Sequence, residues 1–344
     1  MKKFFLVVFL LILVSGAAVF VHARQRLFTP YRGYSESKIA VTIHPGTSVN
    51  AIANTLHRKG IIPHPWYLKG IFIWKKTQGQ SKAGDYAFDR PMSPWEVYEK
   101  LMKGESQYTV VTVPEGSNVF DVENIFEVKD VGRREDFRIA LDSPEVVSSL
   151  KAIDPEIDDA EGFLFPNTYF FTKRELDART GILFMIKQFQ KEYGPAERSR
   201  AAQLKMTTLQ IITLASLVEK ETAQPSERSL ISGVFHNRLK KSMLLQCDPT
   251  VIYAMMLSGN YDGHISRADL QFSSAYNTYV AAGLPPGPIC NPGKESIKAA
   301  LFPQQTEKLY FVSRNDGSHY FSSTLQEHNR AVQQYQTNKR TSAP

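Results

Sequence analysis

Cysteine is scarce in this chain: two residues in 344, Cys247 and Cys290. They form no Cys-x-x-Cys pair, no His-Glu-x-x-His is present and the eight histidines are scattered, so the usual metal-ligand spacings are missing. No metal or other cofactor is expected, and a metallopeptidase is disfavoured. Two cysteines fit an oxidising compartment without requiring one, because a chain this long builds a core without disulfides. A bridge between them is left open. Long basic runs are also missing despite a formal net charge of +7: Arg133-Arg134 and Lys240-Lys241 are isolated pairs. With no zinc-finger spacing and no RNA-binding aromatic motif, nucleic acid is not an expected partner. The charge reads first as a solvated basic surface, with anionic lipid or an acidic wall polymer as the specific alternatives.

What is present is the composition of a folded protein, 42% hydrophobic and 22% charged, with length for about two domains. The longest apolar run lies at the N-terminus. After Lys2 and Lys3, residues 4–21 are apolar except for Ser15 and Gly16, and Arg24 and Arg26 follow. Such a run, helical at about 1.5 Å per residue, reaches roughly 27 Å, just enough for a hydrocarbon core of about 30 Å. A cleaved signal peptide is the rival reading, since Val21-His22-Ala23 loosely fits a cleavage site. The run exceeds the roughly 7 to 15 apolar residues usual there. Residues 1–23 are therefore read as an uncleaved anchor with a short cytoplasmic tail, and the body of the protein as exported.

Residues 24–38, polar with Pro30 and Gly33, read as a linker. A weak internal repeat follows: VTIHPGTSV at 41–49 is echoed by VTVPEGSNV at 111–119. In each copy a β-branched strand meets a turn and then a Ser or Asn cap that opens an amphipathic helix. Gly60 reads as the stop of the first such helix. Ser93-Pro94-Trp95-Glu96 reads as N-cap, proline at the first position and acidic first turn of a helix running to Lys103-Gly104. The fold class expected is α+β: a small α/β domain at 39–105, a connecting strand-turn-helix region at 106–158, a mixed α+β domain at 159–336 and a tail at 337–344. In the last domain Thr207 and Gln210 form a candidate capping box for a helix running to about Ala223, and a second helix is expected from about Ser226 to Met243. Because residues 211–218 are nearly all apolar, the first of these helices must be buried on most sides.

That helix ends in Glu219-Lys220-Glu221. Residues two apart point about 200° away from one another, so the two glutamates cannot share one site. Glu219 lies on the face of Ala215 and Ile212, and apolar walls with a helix C-terminus would raise a carboxyl pKa there. A carboxyl held protonated near neutral pH can protonate a glycosidic oxygen. Periodicity equally allows both glutamates to end the helix in water, paired with Lys220 or Arg228.

Six ordered motifs narrow the choice: EGFLFPNTY at 161–169, ASLVEKET at 215–222, FHNRL at 235–239, LQCDPTV at 245–251, AYNTY at 275–279 and GLPPGPICNPG at 283–293. In that order they resemble the endolytic murein transglycosylases, the MltG/YceG-like family, and the 39–105 region resembles a LysM-like domain. The resemblance implies a single-pass inner-membrane protein with a periplasmic catalytic domain that cuts peptidoglycan glycan strands. It also implies a possible link to cell-wall synthesis complexes and Glu219 as the catalytic acid/base. Gln246, Asp248, Tyr276 and Asn277 are the groups expected to meet sugar, with Glu161 and Asn291 added from the neighbouring motifs. Asn167 departs from the family pattern, where an aspartate is expected. A wall-binding scaffold without activity and a hydrolytic muramidase stay open as alternatives. The anchor reading predicts that the full chain resists carbonate extraction from membranes; a mature protein that begins at or after Ala23 and washes off would refute it.

Overall fold

The computed structural model describes residues 24–44, 46–104, 109–171 and 176–337, together with Ser15. The expected anchor at 1–23 lies outside the described residues apart from Ser15. Among the described residues no single helix is long and apolar enough to cross a membrane. The class is α+β, with helices and three two-stranded sheets. Contacts divide the chain into two compact units, Met1–Val110 with Phe170–Arg174, and Val111–Tyr169 with Glu175–Pro344.

The first unit is built on an antiparallel pair, β1 (Ile39–Ile43) and β2 (Gly84–Phe88), with Ile39 opposite Phe88. Between them run α1 (Val49–Arg58) and α2 (Pro65–Trp74), and α3 (Pro94–Lys103) follows. Both expected starts are seen. Ser48 accepts the Ala51 N–H at 3.3 Å. Ser93 and Glu96 close a reciprocal capping box in which the Glu96 carboxylate accepts the Ser93 N–H at 2.8 Å. That backbone hydrogen bond holds the Glu96 pKa below its ordinary value. Ile52, Leu56, Leu68, Phe72, Tyr86, Phe88, Val97 and Leu101 form one core, and truncating one of its large members costs about 2–5 kcal/mol.

Two further strands, β3 (Thr109–Thr112) and β4 (Thr168–Phe171), pair with each other, and the second unit begins at Val111. The repeat's second copy opens α4 (Val119–Val128), with Asn118 and Asp121 closing a capping box. Helices α5 (Arg134–Leu141) and α6 (Pro144–Lys151) pack on α7 (Ala178–Glu192). By their contacts, residues Val111–Tyr169 group with the second unit. After α8 (Pro195–Gln203) comes α9 (Thr208–Glu221), started by the reciprocal Thr207–Gln210 box and buried from Ile211 through Val218. Around it lie α10 (Arg228–Lys240), α11 (Asp248–Leu257) and α12 (Lys294–Leu301). The pair β5 (Tyr310–Ser313) and β6 (His319–Ser322) and α13 (Leu325–Val332) complete the unit.

Two boundaries differ from the sequence reading. α9 stops at Glu221 because Thr222 is extended and its hydroxyl donates to the Val218 carbonyl at 2.6 Å. α10 starts later than expected because Pro225–Glu227 form a separate 3₁₀ turn, and it stops short of Met243 where Ser242 turns left-handed.

The ends of α1 and α4 are built alike. Ile61 N–H donates to Leu56 O and Val131 N–H to Phe126 O, each at 2.9 Å, across a left-handed residue that is Gly60 in the first case and Asp130 in the second. A Cβ built on Gly60 would stand 2.6 Å from the Gly33 carbonyl carbon. Gly60→Ala should therefore lower stability by more than about 1 kcal/mol, and Asp130→Gly should leave it unchanged or raise it by up to about 1 kcal/mol. Urea denaturation midpoints check both changes.

Candidate functional site

The end of α9 delivers Glu219 and Glu221 to opposite sides of one buried helix, as their spacing requires. On the first side, Glu219 Oε2 accepts the Gly293 N–H at 2.9 Å. Gly293 is the N-cap of α12 and offers no side-chain cap of its own. The Glu219 carboxylate thus stands at the positive end of that helix, a favourable place for a negative charge. Glu115 crowds the same corner: a Cβ on Gly293 would fall 2.0 Å from Glu115 Oε1, so a larger residue there would push that side chain aside. Partial enclosure, and then the charge of Glu219, push the Glu115 carboxyl above its ordinary value. Lys220 Nζ donates to the Gly116 carbonyl at 3.3 Å and pins the turn that carries Glu115.

The other side is richer in polar groups. Glu221 is half-buried, and its Oε1 accepts a hydrogen bond from the Cys247 thiol at 3.1 Å. Burial raises the Glu221 pKa, opposed by that bond and reinforced by the charge of Asp248. Burial also drives the Cys247 thiol well above its ordinary value, so it stays a donor. Gln246 and Asp248, flanking Cys247, are both exposed. Tyr279 donates its hydroxyl to Asp248 Oδ1 at 2.5 Å. Arg238 sits among the same groups, its Nε donating to the Leu309 carbonyl at 2.6 Å. His319, whose charge is felt at Glu221, pairs through Nδ1 with Glu227 Oε2 at 2.7 Å. Sequence reasoning assigned no role to Tyr279, Arg238 or Glu227. One signal was available: Arg238 lies seven residues after Ile231 and four after Val234, on the apolar stripe of α10, where an arginine needs internal acceptors.

The remaining expected residues separate by burial. Asn277 is fully buried, donates both amide hydrogens to the carbonyls of Leu270 and Phe272, and accepts the Tyr279 N–H. Asn291 is likewise buried: it accepts the Leu164 N–H at 2.8 Å and donates to Ser117 O at 2.8 Å and to Glu161 Oε1 at 3.4 Å. The polar side-chain atoms of both are engaged chiefly with protein backbone. Glu161 is 2% exposed and accepts from Val119 N–H and the Tyr253 hydroxyl, beside a cavity of about 210 Å³. Burial lifts its pKa to about 8. Tyr276 is half-buried against Tyr253, ring centres 5.2 Å apart, and burial pushes its hydroxyl up to about 12. Asn167 is exposed and its side chain accepts the Thr168 N–H, a bond an aspartate would make equally. Both cysteines are free: Cys290 bonds weakly to the Ser216 carbonyl and Cys247 to Glu221, so the bridge left open by the sequence is not formed. A cavity of about 890 Å³ in the second unit lies by Leu209 and Thr213 of α9 and is lined by neither Glu219 nor Glu221. Cavity size therefore does not locate the chemistry here.

An α+β unit wrapped around one buried helix, with a half-buried carboxyl among exposed polar side chains, has the makings of an acid/base enzyme site. The YceG-like family model matches residues 41–334, and the chain belongs to that family. Over 341 residues it is 33% identical to a Bacillus subtilis (strain 168) protein named endolytic murein transglycosylase, covering 95% of this chain and 92% of that one. A protein of the same name from Streptococcus pneumoniae serotype 2 (strain D39) is 28% identical over 361 residues, covering 96% of this chain and 64% of that one. A crystal structure of a YceG-like protein from Listeria monocytogenes superposes with a TM-score of 0.61 at 32% identity, over 86% of this chain and 99% of that one.

Glu161 yields a test of the site's frame. Its folded pKa near 8 lies above the ordinary 4.5. The stability it contributes is thus complete below about pH 4.5 and is lost as pH rises through about 8, on the order of a few kcal/mol. Urea midpoints measured at about pH 5 and about pH 9 should fall with pH in the native protein. In Glu161→Gln, which mimics the protonated carboxyl, that part of the fall should disappear.

Proposed function

We propose that this protein is a peptidoglycan lytic transglycosylase that cuts glycan strands internally, with Glu219 as its acid/base. The observation that supports the assignment is the setting of Glu219: a partly exposed carboxyl at the end of the buried helix α9, its Oε2 accepting the Gly293 N–H and its corner shared with Glu115. Glu221 leaves the helix on the other side, where its Oε1 accepts from the Cys247 thiol, and takes a structural task.

In the proposed reaction Glu219 gives its proton to the glycosidic oxygen of the departing N-acetylglucosaminyl unit as the bond from that oxygen to C1 of N-acetylmuramic acid breaks. The C6 hydroxyl of the same muramoyl residue attacks C1 and returns its proton to Glu219. A 1,6-anhydro end forms and no water is consumed. One carboxyl suffices because the substrate carries its own nucleophile at high effective concentration. Glu115, the second carboxyl at Glu219, favours one rival, a muramidase in which it would activate water. Asp248, whose Oδ1 accepts the Tyr279 hydroxyl at 2.5 Å, is read as a group that orients sugar.

The finer parts of the proposal are a LysM-like role for the first unit, a single-pass inner-membrane anchor with the catalytic unit in the periplasm, and trimming or termination of nascent strands beside the synthesis machinery. They rest on the motifs and on the length of the 4–21 segment. The deciding experiment digests peptidoglycan with folded Glu219→Gln and Glu221→Gln and resolves the products by mass spectrometry. Glu219→Gln should lose about 10²- to 10⁴-fold in turnover with its fold intact, as expected for a lost general acid/base. Glu221→Gln should be milder, acting through structure. The reverse pattern moves the role to Glu221, reducing ends establish the muramidase, and no cleavage by the native protein leaves a scaffold.

A further inference from the structure

Helix α2 is apolar on both sides. Leu68, Ile71 and Phe72 fill the core of the first unit, while Trp66, Ile73 and Trp74 point outward at 70%, 61% and 71% exposure. A helix that is hydrophobic all round needs a cover on each side. The described residues supply one. The outer face continues across Gly70 to Tyr67, Trp95, Leu27 and Phe28, around a cavity of about 620 Å³ that Arg24 also lines. Phe28 is half exposed and packs on Trp95 with ring centres 5.4 Å apart. The chain has three tryptophans, and all three stand on this face.

We infer that this face rests in the headgroup region of an anionic bilayer. Three observations favour lipid over another occupant. The apolar segment 4–21 ends three positions before Arg24, so the chain that leads into this face is the one read as a membrane anchor. The residue types are those of a membrane–water boundary: indole and phenol rings with an apolar body and a polar edge, interleaved with long cations. Lys69 Nζ lies 5.2 Å from the Trp66 ring centre, and Lys75 Nζ lies 4.7 Å from that of Trp74 and 5.1 Å from that of Trp95. Ammonium groups placed over the rings reach lipid phosphate while the rings sink toward the acyl boundary. None of the residues lining the cavity is acidic, and the Glu99 carboxylate beside them takes the Trp95 indole N–H at 2.9 Å.

The proposal rests on the anchor reading, and one experiment separates the two. Because no tryptophan lies elsewhere, tryptophan emission excited at the red edge, where tyrosine does not absorb, reports this face alone. The chain is reconstituted into vesicles of phosphatidylethanolamine and phosphatidylglycerol carrying bromine at shallow or deep acyl positions, and carbonate extraction is run in parallel. If the face is interfacial, shallow bromines quench the larger part of the emission, deep bromines quench less, and iodide in the water quenches little. Emission untouched by bromine and open to iodide, in a chain that resists carbonate, overturns the proposal and leaves the anchor standing. Emission that responds to added glycan strands and not to bromolipid makes the face a sugar platform and also overturns it. A chain that carbonate removes but bromolipid quenches refutes the anchor and keeps the surface, and a chain that shows neither refutes both.

Discussion

The second unit depends on keeping one apolar helix dry. Residues 211–218 of α9 carry no ionisable group, and water on any side of them would cost hydrophobic free energy at about 25 cal/mol per Å². The surrounding helices α10, α11 and α12 satisfy that demand together. Polar atoms inside the enclosure are matched locally: the Thr213 hydroxyl donates to Leu209 O, and Ser216 donates to Thr213 O while accepting the Ile289 N–H. The last bond fastens the proline-rich loop to the helix, so the same burial that stabilises the core also places the loop leading to Gly293.

A helix enclosed on all sides has no outward face at its end. Glu219 and Glu221 leave it in opposite directions and meet different surroundings, a helix N-terminus for one and a thiol, an aspartate and an arginine for the other. Two identical side chains two residues apart thereby acquire different chemistry. The difference comes from what α10, α11 and α12 bring to each side, and sequence position alone does not supply it.

This explains where the sequence was readable. Caps at Ser48, Ser93, Asn118 and Thr207 were visible because a cap is a local bargain between a side chain and the next turn. The strand-turn-helix repeat was visible for the same reason. The choice between the glutamates was not, since hydrophobic periodicity identifies the wet side of a helix and α9 has none. The burial of Asn277 and Asn291 was hidden for a similar reason: an amide in a loop motif looks the same in sequence whether it is exposed or holds backbone. Arg238 was overlooked because its acceptors, the carbonyls of Leu244, Leu245 and Leu309, are backbone atoms that no residue type announces.

The wall beside Glu221 is assembled from two loops joined by hydroxyls. Cys247 N–H donates to Thr278 Oγ1, Gln246 N–H to Thr278 O, and the Thr250 and Thr278 hydroxyls lie 2.9 Å apart. Gln246 itself is held in the left-handed region at φ +50°. The conformational entropy of arranging Gln246, Asp248 and Tyr279 is thus surrendered when the chain folds, not when a ligand arrives. A flexible polymer docking there meets a surface that has already been ordered, and the ordering left to do on association is that of the polymer.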